Sequence, residues 1–442
     1  MSCPIIARAF ALVTLAACAA SGLAVESSPP PITLEDALAA ARRANAELPV
    51  ASYDVRIAQQ RRREAEAMRR AQLKLDGDLW IAPAPGYDPV ITNLGEDRLQ
   101  LGVRKTLYDG GALRAGAAQA RAEVAASEAR YRLAEGDVDL EVRQQYAAIL
   151  AAERELDARR EGLERLGSYL SLLEERQRSG QAVAPDLLRT RVRLATDRAA
   201  LVAAEQSADQ ARTALDVLMG RAATAPLALA PLPAPAAPAS ASDEPWRGVP
   251  ELAAAEHDVE AAEAASRAAG AQLRPQVSAS ADAGLWGSDT TRLVPDDFAA
   301  GHPGATLGDR LRRDLGYSFR LDFSLPLFDS GVYAARIAQA RLAAEQARQE
   351  VRAQSASAER QWSEARQSMA RAYEQYEILV AAEPQARDAY LEAESRYRGG
   401  TASYLEVLDA FSASVDTAVA AVEAELAYRS AEALVLRWGG TP

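Results

Sequence analysis

Cysteine is nearly absent: the two present, Cys3 and Cys18, fall at the extreme N-terminal end of the 442 residues. No disulfide can therefore brace the body of the chain. Lysine is just as scarce, with Lys74 and Lys105 alone, and the net charge is -12. That balance argues against nucleic acid as a partner, because neutralising phosphates takes clustered basic side chains. The two histidines, His257 and His302, lie far apart and belong to no ligand cluster or triad. With no Gly-rich phosphate loop and no nucleophile beside a base, no enzyme is expected, and no metal or cofactor. Aromatics make up only 6% although 49% of residues are hydrophobic. Much of that hydrophobic share is alanine, which suits closely packed helices better than a thick globular core. No run is apolar and long enough for a transmembrane helix, so any crossing of a bilayer must be made by strands.

Residues Ile5 to Ala17 form a short apolar run with Arg8 near its start, which is the pattern of an export signal. The ending Leu15-Ala16-Ala17-Cys18 resembles a bacterial lipoprotein cleavage site, so the expectation is a signal over 1–17 with Cys18 as a lipidated N-terminus. Ordinary cleavage after Ala24 is the alternative. The mature protein is expected to leave the cytoplasm, with 18–32 as a lead-in.

What the chain does have is one dominant helix. Ala112 to Arg178 holds no proline and is crowded with Ala, Leu, Glu, Gln and Arg. At ~1.5 Å per residue it makes a rod of about 100 Å. Such a rod must be held along its flank, because helical stability in proteins comes from packing more than from propensity. Shorter helices are expected over Leu34–Ala44, from Pro49 to about Ala71, and from Pro185–Asp186 to Met219. Between the second helix and the rod the period changes to two: Leu73, Leu75, Leu79 and Ile81, then Leu99, Leu101, Val103 and Leu107, alternate with polar residues. The turn Tyr108-Asp109-Gly110-Gly111 leads into the rod.

The same order recurs. A first repeat over 33–220 and a second over 249–440 are separated by a Pro- and Ala-rich segment, 221–248, that reads as a linker. Ala271-Gln272-Leu273-Arg274 echoes Ala71-Gln72-Leu73-Lys74. Two more strands follow, from Val277 to Leu285 and from Tyr317 to Leu327, with a Gly-, Asp- and Pro-rich loop between them. Phe328-Asp329-Ser330-Gly331 then matches the earlier turn. Beyond it the spacing between matching residues holds at about 220, as in Arg176 and Arg396 or Leu188 and Leu408. One departure is Pro384 inside the second rod, which is expected to kink it.

In each repeat the two shorter helices, end to end, roughly equal the rod, which suggests that the rod pairs with two stacked partners. Four amphipathic strands of spanning length fit a barrel, but four cannot close, and an open edge is not tolerated in lipid. The expected class is mainly α with membrane β: long helical hairpins forming a tunnel, plus a four-stranded contribution to a barrel shared among copies.

These features resemble the TolC-like outer membrane efflux protein family, on the duplicated layout, the two strand-to-helix turns and two helical tips. The tips read Arg176-Gln177-Arg178-Ser179-Gly180 leading to Asp186-Leu187-Leu188, and Tyr397-Arg398-Gly399-Gly400-Thr401 leading to Glu406-Val407-Leu408-Asp409-Ala410. The resemblance implies a homotrimer with a 12-stranded barrel in the bacterial outer membrane and a helical tunnel across the periplasm. Its partners would be a periplasmic adaptor, an inner-membrane pump and outer membrane lipid, and its role that of a gated passive duct for efflux or type I secretion. It further implies an acidic aperture ring from Glu406 and Asp409, gate-closing contacts from Tyr397 and Asp186, and adaptor docking around Ser179, Gly180, Gly399, Gly400 and Thr401. Ala402 stands where relatives can carry an arginine. The competing reading is an exported, lipid-anchored coiled-coil adaptor or envelope scaffold, which has no need of four spanning strands.

Overall fold

A computed structural model describes residues 31–82, 95–179, 184–222, 227–238, 244–288, 301, 303–304 and 306–439. The export signal, Cys18, Gly180, His302 and the connection over 83–94 lie outside the described residues.

The chain order is α1 (Leu34–Ala44), α2 (Glu47–Ala67), β1 (Gln72–Ile81), β2 (Gly95–Tyr108), α3 (Ala112–Arg178), α4 (Ala184–Leu218), a 3-10 turn (Pro245–Gly248), α5 (Pro250–Ala271), β3 (Gln276–Ser288), α6 (Leu307–Asp314), β4 (Leu315–Ser324), α7 (Val332–Arg398) and α8 (Tyr404–Arg437). The rod α3 has the bounds that its sequence implies, and α7 is its twin, each 67 residues long. Helix α7 runs on through Pro384. Both rods begin in the same way. The Asp109 carboxylate accepts from Gly111 N at 2.9 Å and from Leu113 N, while Asp329 accepts from Gly331 N at 3.0 Å and from Tyr333 N. Each aspartate thereby satisfies the orphan donors of a first helical turn and places a negative charge where the helix dipole favours one.

Two features depart from the sequence reading. The Gly-, Asp- and Pro-rich connection before β4 contains α6, started by a capping box in which Thr306 Oγ1 accepts from Asp309 N at 3.4 Å and Asp309 Oδ2 accepts from Thr306 N at 3.0 Å. Strand β4 ends at Ser324 rather than Leu327, because Pro326 has no N–H to give to a ladder.

The sheet is antiparallel in the order β1-β2-β3-β4. Its register stacks like with like. Leu75 lies opposite Leu101, Leu101 opposite Ala283 and Ala283 opposite Tyr317, while on the other face Lys74, Gly102, Asp282 and Ser318 form one row. The apolar face is bare in one subunit: Leu73 is 68% exposed and Phe319 74%. Salt bridges Lys74–Asp76 and Arg98–Asp78 lie on the polar face.

That register corrects the tetrapeptide echo. Gln72 opens β1, whereas Gln272 caps α5, and the residue that opens β3 is Gln276. Equivalent positions before the strands are thus 204 apart, not 200. Arg274 answers to Arg70, as the corner hydrogen bonds Arg274 N to Ala271 O (3.0 Å) and Arg70 N to Ala67 O (2.9 Å) confirm. Similar wording in the two stretches had hidden a slip of one helical turn. The spacing widens to 220 after the longer β3–β4 connection that carries α6.

Among the helices, α3 is central. It packs on α2 and α4 of its own repeat and on α5 and α8 of the other, while α7 packs on α5 and α8. The rod does pair with short helices stacked end to end, and on two flanks. Two cores sit at equivalent places. Val142, Ile149, Leu215 and Leu218 fill one; Trp362, Met369, Val435 and Trp438 fill the other.

The described part of the segment between the repeats lies strapped across the helices. Ile32 bridges Leu229, the Tyr146 hydroxyl shares its one proton between Ala230 O (2.6 Å) and Ile32 O (2.9 Å), and Tyr428 donates to Ala236 O at 2.9 Å. Tyr146 and Tyr428 are fully buried, and burial pushes both phenols above their usual range. Their hydroxyls, themselves buried, find acceptors in the strap's backbone carbonyls, while Ile32 O also accepts from Ala230 N at 2.9 Å.

Candidate functional site at the helical tip

The end of the helical body farthest from the sheet is where α3 meets α4 and α7 meets α8. The second of these turns is a Schellman closure. Gly400, with φ +76°, donates to Tyr397 O at 3.1 Å, and Thr401 N donates to Arg396 O at 2.9 Å. The left-handed conformation is what requires glycine there. Thr401 Oγ1 adds a bond to Arg396 O at 3.1 Å. In the first turn Ser179 N donates to Glu175 O at 3.1 Å and its hydroxyl donates to Arg176 O at 2.9 Å.

Behind the turns lies a core that joins all four helices: Leu166, Tyr169 and Leu173 of α3, Leu187 and Leu194 of α4, Tyr390 of α7, and Tyr404, Val407 and Phe411 of α8. Its tyrosines are interlocked. Tyr169 stacks on Tyr404 with ring centroids 5.8 Å apart and tilts against Tyr397 at 5.6 Å, and the Arg176 guanidinium lies 4.9 Å from the centre of the Tyr397 ring. Such pairs contribute about 0.5–1.5 kcal/mol each beyond their buried area. Tyr404 and Thr190, both buried, share a hydroxyl–hydroxyl bond, and Thr190 also donates to Asp186 O at 2.8 Å. The Tyr169 hydroxyl is enclosed without a hydrogen-bond partner among the described residues. Burial pushes the phenols of Tyr169, Tyr390 and Tyr404 upward, so all three are neutral donors at any physiological pH.

Of the residues singled out from sequence, Tyr397 and Asp186 both sit beside this cluster. Within one subunit no hydrogen bond joins them, and Tyr397 instead meets Tyr169, Tyr404 and Arg176. Glu406 and Asp409 share the exposed face of α8 opposite buried Tyr404, Val407 and Phe411. Ser403 caps that helix, accepting from Glu406 N at 3.2 Å. Neither carboxylate has a cationic partner among the described residues, so two like charges one helical turn apart project freely from the tip. Gly399 and Thr401 lie at the turn itself. The sequence reading missed Tyr169, Tyr390 and Tyr404; the available signal was the concentration of tyrosine near both tips of a chain poor in aromatics.

A sheet with one apolar face, continued on the far side of its turns by helical hairpins of about 100 Å, defines a subunit of a membrane channel with a long helical conduit. The chain belongs to the outer membrane efflux protein family, whose model matches residues 37–221 and 248–440. It is accordingly an outer membrane channel component of efflux machinery that extends into the periplasm, in a family of transport channels rather than enzymes. No curated protein sequence matches it significantly. Solved structures share the fold. The outer membrane protein VceC of Vibrio cholerae is 21% identical with a TM-score of 0.78, over 92% of this chain and 96% of that one. The outer-membrane channel OprN is 24% identical with a TM-score of 0.78, over 92% and 90%. The MtrE channel of Neisseria gonorrhoeae, in its open state, is 20% identical with a TM-score of 0.78, over 92% and 89%.

Proposed function

We propose that three copies of this chain close one 12-stranded barrel and one helical tunnel, and that the assembly is a passive, gated duct which catalyses no reaction itself. The carrying observation is the pair of open flanks. Strands β1 and β4 each leave one edge unpaired among the described residues. On the same two sides α2 and α4 expose Val50, Tyr53, Ile57, Val192 and Val202, while α7 exposes Leu342, Ile378 and Leu391. In lipid an unpaired edge is prohibitive, and copies of the chain supply the complementary flank. Twelve strands then require three.

Under threefold symmetry Glu406 and Asp409 place six carboxylates around the axis at the periplasmic end. A ring of that kind favours cations and resists closure through mutual repulsion. Tyr397 and Asp186 hold the tips together in the closed state through a hydroxyl-to-carboxylate bond made between neighbouring helices in the trimer. The turns at Ser179, Gly180, Gly399, Gly400 and Thr401 receive a periplasmic adaptor that brings substrate from an inner-membrane pump. Pro384 marks the second hairpin as the one that moves, since its ring removes one helical hydrogen bond; unchanged gating in P384A would remove that idea.

Single-channel conductance of the purified protein in a planar bilayer tests this reading. Glu406→Gln with Asp409→Asn is expected to raise conductance or weaken cation preference. Unaltered conductance and selectivity would count against the aperture.

A further inference from the structure

Arg274 and Gly110 make a joint between the two repeats. The Arg274 guanidinium donates to Gly110 O at 2.8 Å, tying the corner that enters β3 to the turn that leaves β2. Each partner has a counterpart at an open flank. Arg70 occupies the same corner before β1, closed by the same backbone bond, and Ser330 occupies the same turn after β4. Both are exposed, and the Arg70 side chain has no partner among the described residues. Ser330 retains the left-handed backbone of its counterpart, φ +57° against +67° at Gly110, although it carries a side chain.

We infer that Arg70 of one copy donates to the Ser330 carbonyl of the adjacent copy, so that the seam between subunits repeats the joint inside each subunit. This rests on the closed-barrel reading. The two joints cannot be identical. A Cβ at Gly110 would stand 2.5 Å from Arg274 Cβ and 2.8 Å from Ala271 O, closer than real atoms approach. Ser330 has that Cβ, so the seam between copies must stand wider at this turn by about 1 Å or more, enough to restore van der Waals contact. The partner is a second copy of this chain, and the looser of the two joints is the one it makes.

A cysteine pair reads this geometry directly. Widening brings the Cβ atoms of positions 70 and 330 into the range of roughly 3.5–4.5 Å that a disulfide needs. Under mild oxidation R70C/S330C should give covalently linked dimers and trimers on a denaturing gel, collapsed by reductant. Their yield should exceed that of either single variant by about tenfold, since docking holds the two thiols at high effective concentration. Unlinked subunits alone, in a sample that still migrates as a trimer when unheated, would overturn the inference. A sample with no trimer at all would instead overturn the closed-barrel reading. The charge supplies a second readout that does not depend on cysteine. R70K should keep the temperature at which the trimer dissociates, and R70E should lower it; equal temperatures for the two would also overturn the inference.

Discussion

Val142, Ile149 and Leu218 in the first repeat stand where Trp362, Met369 and Trp438 stand in the second, on one shared skeleton. The volumes differ because the surroundings do. The first core is roofed by α1 and the strap, with Leu227, Leu229 and Leu232 packed on it, whereas the second must fill its space with larger side chains of its own and Trp246. The turns differ in the same sense: Gly110 is clamped under Arg274, and Ser330 is exposed. The first rod is flanked on both sides within its own chain, and the second on one side. Duplication thus gave two copies of one unit, and closure of the wall gave them different duties, one buried in the subunit and one facing its neighbour.

The largest expected effect tests that contrast at the turn. Gly110→Ala sets a side chain against Arg274 in a left-handed conformation and should destabilise by about 3 kcal/mol, read as a drop in thermal midpoint. Next is the strap. The fully buried Tyr146 hydroxyl is shared between two carbonyls, so Tyr146→Phe should cost about 1.5 kcal/mol, and Tyr428→Phe, whose carbonyl partner Ala236 is exposed, about 0.5 kcal/mol. Equal losses would erase the asymmetry of the strap. Ser330→Gly should move the other way, gaining about 1 kcal/mol by relieving left-handed strain at the open turn; a loss there would mean that the serine side chain is itself a seam contact.

The smallest effect concerns Asp216, whose counterpart in the second repeat is Leu436. Asp216 is 2% exposed, with Oδ1 unbonded and Arg221 Nε 3.5 Å away. Burial raises its pKa above 3.8, against the pull of Arg221. The ionised form is therefore the penalised one, and the penalty is full at pH above the raised pKa and fades as pH falls toward 3.8. Asp216→Asn should raise the thermal midpoint slightly at pH 7 and leave it unchanged near pH 3.5. A gain that persists in acid would assign the effect to packing instead.

Much of this architecture is legible in the residues. The rod from Ala112 to Arg178 and the alternation in the strands follow from local periodicity, which depends on near neighbours alone. What stayed hidden depends on distant ones. Helix α6 was masked by glycine and aspartate, whose capping role outweighs their dislike of helix interiors. The strap could not be read as such because Tyr146 finds acceptors 114 and 84 residues away. At the tip, Glu406 and Asp409 share a face as their three-residue spacing requires. The tyrosine cluster behind them draws one ring from α3, two from α7 and one from α8, and no window of sequence holds all four.

Each subunit is a third of a wall. Light scattering with refractometry on the detergent-solubilised mature protein measures this without assumptions about shape. A protein mass three times that of one chain, stable until heated, is the expected result. A single-chain mass that persists in aqueous buffer without detergent would contradict it.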